Sequence, residues 1–390
     1  MDEVLVIGSG PAGLATAAAV IARGTPVTVL EQGSEPAAAW ASRYDSLRLN
    51  TSRMHSALRG APFPRAWGQF PTRAQYVGYL RDYADRHGVH VRTGVAVRRI
   101  DPADAGWRMT TDDEPMLAHQ VVVATGIFNE PQLPAWARSH EFRGTVLHTS
   151  EYRNPTPFAD ARVVIVGPGS TGLELANELA RGGAARVSLA VRTPPTILLR
   201  EHHGVPGDLP VPLFLHLPTP IIDRLIASIS RSMVGDLSPY GMPAPTEGAF
   251  TALQQRGAGT AVVDAEVIAS IRAGAFDIVP EVTALTAKGV VLSDGRQLPA
   301  DVVLVATGFS TGLEPLVGHL GVLGAHGMPR RRDGGEALPG LRFIGYVYRP
   351  GITGYVGRQA RRIAPAVAAR ARAGRRAPAG SRPRASRTPL

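Results

Sequence analysis

Short apolar runs alternate along this chain with longer stretches rich in small residues. Residues 4–7, 27–30, 121–123, 162–166, 187–191 and 303–305 are each dominated by Val, Ile and Leu without polar alternation. Runs of this length and continuity predict strands covered on both faces, as in a parallel sheet. Two of them lead into Ala/Leu-rich helical stretches, 11–23 and 172–181, which stop at Gly24 and at Gly182-Gly183, where glycine suits a helix C-terminus. A strand then follows in each case. Twice-repeated strand–helix–strand order predicts an α/β fold with parallel, Rossmann-like sheets. Residues 121–126 (VVVATG) and 303–308 (VLVATG) are near copies, so the repetition extends beyond the first strand pair.

The two strand-to-helix turns carry the chemistry. They read Gly8-Ser9-Gly10-Pro11-Ala12-Gly13 and Gly167-Pro168-Gly169-Ser170-Thr171-Gly172. In such a turn the first glycine allows a tight bend. The second lets backbone approach a pyrophosphate, and the third lets helix pack on strand. Unpaired N–H groups at the helix start then favour the phosphates. One such motif is weak evidence, but two in this setting point to two bound dinucleotides. Pro11 stands where a missing N–H costs little, whereas Pro168 removes a donor from the second loop.

The residue closing each second strand separates the two ligands. Glu31 ends the first and can accept the hydroxyls of an unphosphorylated ribose, which suits FAD or NAD. Arg192 occupies the corresponding place in the second and suits a 2′-phosphate, which points to NADPH.

Composition narrows the chemistry. The chain has 390 residues and no cysteine, which excludes the disulfide reductases that share this double-nucleotide plan and need a Cys pair. The first strand run starts at Val4, read as leaving no room for a secretory leader, and no apolar run approaches the ~18 residues of a membrane span. A cytoplasmic protein without membrane or nucleic-acid partners is expected. Residues 210–230, the nearest to such a run, are expected to form a buried helix wall. Net charge is +10, but seven arginines and no acid lie beyond residue 366, so 366–390 is expected to be a disordered basic tail. The adjacent His202 and His203 lack a third ligand, and no metal is expected. Glu201 and Asp208 have no sequence partner that would argue for acid–base work.

The expected organisation is an NADPH-binding domain (156–294) inserted into a FAD-binding domain made of 1–155 and 295–365. Residues 193–250, rich in Pro and irregular, are expected to fold into helices over a substrate cavity.

Residues 142–152, FRGTVLHTSEY, resemble the FxGxxxHxxxY/W fingerprint of the class B flavin-dependent monooxygenases. With both loops and both ATG segments in order, the resemblance covers roughly residues 1–365. The terminal Tyr152 is closer to the flavin-containing monooxygenases and the plant YUCCA enzymes than to the Baeyer–Villiger branch. Asn50-Thr51-Ser52-Arg53 resembles the segment whose Asn faces the reacting flavin edge, and the region 191–279 looks YUCCA-like. The resemblance implies FAD and NADPH as cofactors and a C4a-peroxyflavin as the oxygenating species. Asn50 is then the catalytic residue, and Gln32, Trp40, Thr125, Gly126, Thr307 and Gly308 are further cofactor contacts. Tyr44 is a weaker candidate. His148 is assigned to linking the domains and positioning NADPH. O₂ and a small organic molecule are the substrates, through N- or S-oxygenation or oxidative decarboxylation of an α-keto acid. Baeyer–Villiger oxygenation of a ketone, or NADPH-dependent flavin reduction without oxygen transfer, are the alternatives. Oligomeric state is not legible.

Overall fold

The computed structural model describes residues 1–214, 216–258 and 260–376. Its main strands, in chain order, are β1 (Asp2–Ile7), β2 (Thr28–Leu30), β3 (His90–Arg92), β4 (Val97–Ala103), β5 (Gly106–Thr111), β6 (Met116–Val123), β7 (Thr145–His148), β8 (Arg162–Val166), β9 (Arg186–Val191), β10 (Asp277–Pro280), β11 (Val302–Val305), β12 (Glu336–Leu338) and β13 (Leu341–Phe343). The first sheet has eight strands, with the path β12-β13-β6-β1-β2-β3 and the β4–β5 hairpin added to β6. The second has five, in the order β10-β9-β8-β11-β7. This is a mixed α/β fold with Rossmann-like parallel elements.

The two sheets repeat one plan. In the first, β1 lies between β2 and β6, with Val6 opposite Val29 on one side and Val122 on the other. In the second, β8 lies between β9 and β11, with Val164 opposite Ser188 and Val303. Each glycine-rich turn thus leaves a strand flanked on both sides by parallel partners, where open α/β sheets bind their ligands.

The main helices are α1 (Pro11–Ile21), α2 (Arg73–Arg86), α3 (Ser170–Arg181), α4 (Thr219–Val234), α5 (Ala249–Arg256) and α6 (Ile352–Arg376). Helix α1 is buried along nearly its whole length, and its alanines let it sit close to β1. Helix α2 begins with a capping box, Thr72 accepting from the Gln75 N–H and Gln75 accepting from the Thr72 N–H, which satisfies two donors left open at a helix start.

Residues 302–305 pair with β8, and 145–148 pair with β11. Both strands therefore belong to the second sheet, where the VVLV run is the counterpart of β6. Two expectations change. Residues 366–376, expected in a disordered tail, continue α6. Val356, Ala360, Ile363, Ala364, Val367 and Ala371 form a stripe at helical spacing that packs with α1 in one core, and this burial fixes the helix despite its arginines. Residues 377–390 lie outside the described residues. Finally, 210–230 is not a buried wall. In α4 only Ile222 and Val234 are buried, whereas Ile221, Leu225 and nearby Leu213 are exposed. Among the described residues no helix is long and apolar enough to cross a membrane.

Candidate functional site

The glycines of each loop divide into two kinds. A Cβ on Gly13 would lie 1.8 Å from the Gly8 carbonyl oxygen, and one on Gly172 would lie 1.9 Å from that of Gly167. Those positions are closed by the protein's own packing. Gly8 (φ 103°) and Gly167 (φ 113°) adopt backbone that L side chains avoid, and a Cβ there would fall 2.7 Å from the Ala124 and Ala306 carbonyl oxygens respectively. Gly10 and Gly169 differ. Their φ angles of −72° and −67° suit any residue, and a Cβ on either would meet nothing within 4 Å. No fold requirement accounts for glycine there, but close approach of a phosphate does. Both residues start helices that have no side-chain cap, so the first N–H groups face outward as an anion cradle. The loops therefore fit two dinucleotides.

Both cradles open into one cavity of about 1140 Å³, larger than the ~300–1,000 Å³ of an ordinary small-molecule pocket. Gly8, Gly10, Pro11, Ala12, Glu31, Gln32, Trp40, Asn50, Thr125, Gly126, Gly167, Gly169, Ser170, Thr171, Arg192, Thr307 and Gly308 all line it. Gly13 and Gly172 do not, since they pack beneath their loops. Among the described residues of the irregular region 193–250, only those near its two ends, Thr193–Thr196 and Glu247, reach the cavity. Helix α4 contributes nothing to the lining, whereas α5, which begins at Ala249, contributes Ala252, Leu253 and Arg256.

Around the first loop, the buried Glu31 carboxylate accepts from the Ser9 N–H (3.1 Å), the Ser9 hydroxyl and the Gly33 N–H (2.8 Å). Its acceptor capacity exceeds these three donors, and it faces the cavity. Trp40 packs edge-on against Tyr76 at 4.6 Å. Thr125 Oγ1 pairs with the buried Tyr346 hydroxyl at 2.8 Å. At the second loop, Ser170 Oγ accepts from the Val262 N–H at 2.8 Å, and Thr307 Oγ1 donates to the Gln132 carbonyl. Arg192, at the end of β9, is 76% exposed and stands 3.7 Å from the Glu281 carboxylate.

His148 is buried on β7. Its Nδ1 accepts from the Ser150 N–H (3.1 Å), which leaves Nε2–H to donate to the Gly308 carbonyl (3.0 Å). This satisfies the neutral ring, and burial pushes its pKa down. The ring also stands edge-on to Phe309, over which Arg43 lies at 4.4 Å. His148 thus ties β7 to the turn bordering the second cradle.

Sequence reasoning missed a cluster around Asn50. Arg200, whose side chain is 2% exposed, pairs with Glu174 through Nη2 and with Asp264 through Nη1. The same Nη2 donates to Asn50 Oδ1 at 3.1 Å. Burial opposes the guanidinium charge, but Glu174 and Asp264 outweigh it and raise the pKa. Tyr44 lines the cavity and donates its hydroxyl to Glu174 Oε2 at 2.5 Å. Asp208, for which the sequence shows no partner arguing for acid–base work, has several in the fold. Its Oδ2 accepts from the Ser52 N–H (2.8 Å), the Ser52 hydroxyl (3.0 Å) and His55 Nδ1 (2.9 Å). These residues are far apart in sequence, and no local signal connects them.

A family profile described as pyridine nucleotide-disulphide oxidoreductase matches residues 5–198. With no cysteine in the chain, the match concerns the nucleotide fold and not disulfide chemistry. The rice (Oryza sativa subsp. japonica) indole-3-pyruvate monooxygenase YUCCA1 is 34% identical over 310 residues, 78% of this chain and 76% of that protein. The Arabidopsis thaliana probable indole-3-pyruvate monooxygenase YUCCA9 is 32% identical, covering 84% and 79%. Among solved structures, a flavin-containing monooxygenase from Stenotrophomonas maltophilia superposes with a TM-score of 0.70 at 25% identity, over 95% of this chain and 99% of that one. With both cradles, the 142–152 fingerprint and these relatives together, the chain belongs to the class B flavin-dependent monooxygenase family, in the group of the flavin-containing monooxygenases and YUCCA enzymes.

Proposed function

We propose that this FAD- and NADPH-dependent monooxygenase oxidatively decarboxylates an α-keto acid carrying an apolar or aromatic side chain. The observation that carries the reading is the 34% identity to an indole-3-pyruvate monooxygenase. The balanced reaction is α-keto acid + O₂ + NADPH + H⁺ → carboxylic acid one carbon shorter + CO₂ + NADP⁺ + H₂O. The half-buried Arg349 supports an anionic substrate. It lines the cavity, lies over the Tyr355 ring at 4.4 Å and has no ion-pair partner among the described residues.

Bound FAD and NADPH supply hydride transfer and O₂ activation, while the protein binds, orients and excludes water. In this reading Gly8, Gly10, Pro11, Ala12, Gly13, Glu31, Gln32, Trp40, Thr125 and Gly126 hold FAD. Gly167, Gly169, Ser170, Thr171, Gly172, Thr307 and Gly308 hold NADPH, with Arg192 on its 2′-phosphate. The NADPH unit spans about 145–305 and is inserted into the FAD unit, bounds supported by the pairing of β7 with β11. Asn50 offers its amide to the reacting flavin edge.

N- or S-oxygenation is the second reading, favoured by the likeness of Asn50-Thr51-Ser52-Arg53 to flavin-containing monooxygenases. The test measures O₂, NADPH, CO₂ and peroxide with aryl pyruvates, amines and sulfides. CO₂ release matching NADPH use with an aryl pyruvate is expected. Turnover of amines or sulfides alone selects the second reading. Substrate-independent NADPH oxidation ending in peroxide points to a reductase.

A further inference from the structure

We propose that Arg200 is a positioning residue that fixes which end of the Asn50 amide faces the cavity. The inference rests on the reading of Asn50 as the residue beside the reacting flavin edge.

The two ends of an asparagine amide are nearly equal in size but opposite in function. The oxygen accepts hydrogen bonds and the NH₂ group donates them. Asn50 lines the cavity and is exposed to it, so solvent alone imposes no orientation. Arg200 does. A guanidinium carries donors only, and its Nη2 stands 3.1 Å from Asn50 Oδ1. Turning the amide over would set NH₂ against NH₂ and lose a charge-assisted bond. A bond of that kind biases the two orientations on the order of tenfold to a hundredfold. Asn50 therefore presents donors, the property needed next to oxygen atoms that gain negative charge.

Arg200 can impose this orientation because it cannot move. Glu174 and Asp264 hold the two terminal nitrogens, and Tyr44 holds Glu174 in turn. The Arg200 N–H donates to the Val263 carbonyl at 2.8 Å. The two N–H groups of Nη2 are divided, one to Glu174 and one to Asn50, so the shared nitrogen is satisfied by both. Glu174 lies on α3, two residues past Gly172 of the second glycine loop. The cluster thus connects the second cradle to a residue that lines the shared cavity.

The test uses the full-length, FAD-loaded protein and two readouts: peroxide released per NADPH consumed, and the orientation of the Asn50 amide in a neutron crystal structure, which distinguishes its NH₂ from its oxygen. Arg200→Met alone would strand a buried carboxylate, so it is made in a Glu174→Gln background and compared with Glu174→Gln. About a tenfold rise in the peroxide ratio is expected, with the amide turned over. Adding Asn50→Ala should then raise the ratio no further. Arg200→Lys, which keeps a cation but not the fork, should give a smaller rise and serves as the test if the double variant does not fold. An unmoved amide, or a further multiplicative rise on adding Asn50→Ala, overturns the proposal. If Asn50→Ala uncouples the enzyme while the Arg200 variants do not, only this inference fails. A normal peroxide ratio in Asn50→Ala would remove the reading of Asn50, and this inference with it.

Discussion

Alanine at Gly10 and at Gly13 should have opposite effects, although the residues are three apart in one loop. Gly10 has ordinary extended backbone, and a Cβ there meets no protein atom within 4 Å. Gly10→Ala should therefore fold as well as the parent or gain about 0.4–1 kcal/mol from a less flexible unfolded chain. Its added carbon lies on the open side of the helix start, where a pyrophosphate would approach backbone N–H groups. Losing one such charge-assisted bond costs about 1.5–3 kcal/mol, so FAD should bind roughly tenfold to a hundredfold more weakly. In Gly13→Ala the new carbon falls 1.8 Å from the Gly8 oxygen. That forces α1 away from β1 at a cost of about 1–3 kcal/mol or more. Thermal melts of FAD-free protein and FAD titrations by flavin fluorescence measure both effects. Parent-like FAD affinity in Gly10→Ala, or a parent-like melt in Gly13→Ala, would overturn the assignment of one glycine to ligand and the other to packing.

Further effects are expected at Arg192, His148 and α6. Arg192→Ala should weaken NADPH about tenfold or more while leaving NADH nearly unaffected. Glu281→Gln should tighten NADPH about fivefold, since a carboxylate ~4 Å from the arginine competes with the phosphate for ~1 kcal/mol even in water. Equal changes for both nucleotides would remove the 2′-phosphate role. His148 is held neutral by burial, so its pKa is lower folded than unfolded. The unfolded chain takes the proton first. Stability should be full above about pH 6.5 and decline as pH falls toward the folded value. Denaturant midpoints between pH 8 and 5 should show that decline flattened in His148→Gln, and an unaltered slope excludes His148 as its source. Truncation after Pro365 removes the buried Val367, Ala368 and Ala371 and should cost about 3 kcal/mol. A melt unaffected by that cut would show that the stripe carries no stability.

The sheets and both cradles could be read from the chain because they depend on local features: continuous apolar strands, glycines at fixed spacing, and the residue ending each second strand. What the sequence concealed depends on partners. A VVLV run reads the same in either sheet, and only its pairing with β8 assigns 302–305. The last turns of α6, beyond residue 365, were hidden because alanines supply most of their buried face and arginines crowd the composition around them. Glu174, Arg200 and Asp264 each look like an ordinary surface residue until folding brings them together with Tyr44 around Asn50. Asp208 is the same case, joined to Ser52 across 156 positions of chain.

Anaerobic mixing of the FAD-loaded protein with NADPH or NADH, tracking loss of the flavin's visible colour, tests the pairing of the two cradles. Bleaching by NADPH at concentrations about tenfold or more below those needed for NADH is expected, with that preference lost in Arg192→Ala. A protein that takes up no FAD, or that is bleached equally by the two nucleotides, would contradict it.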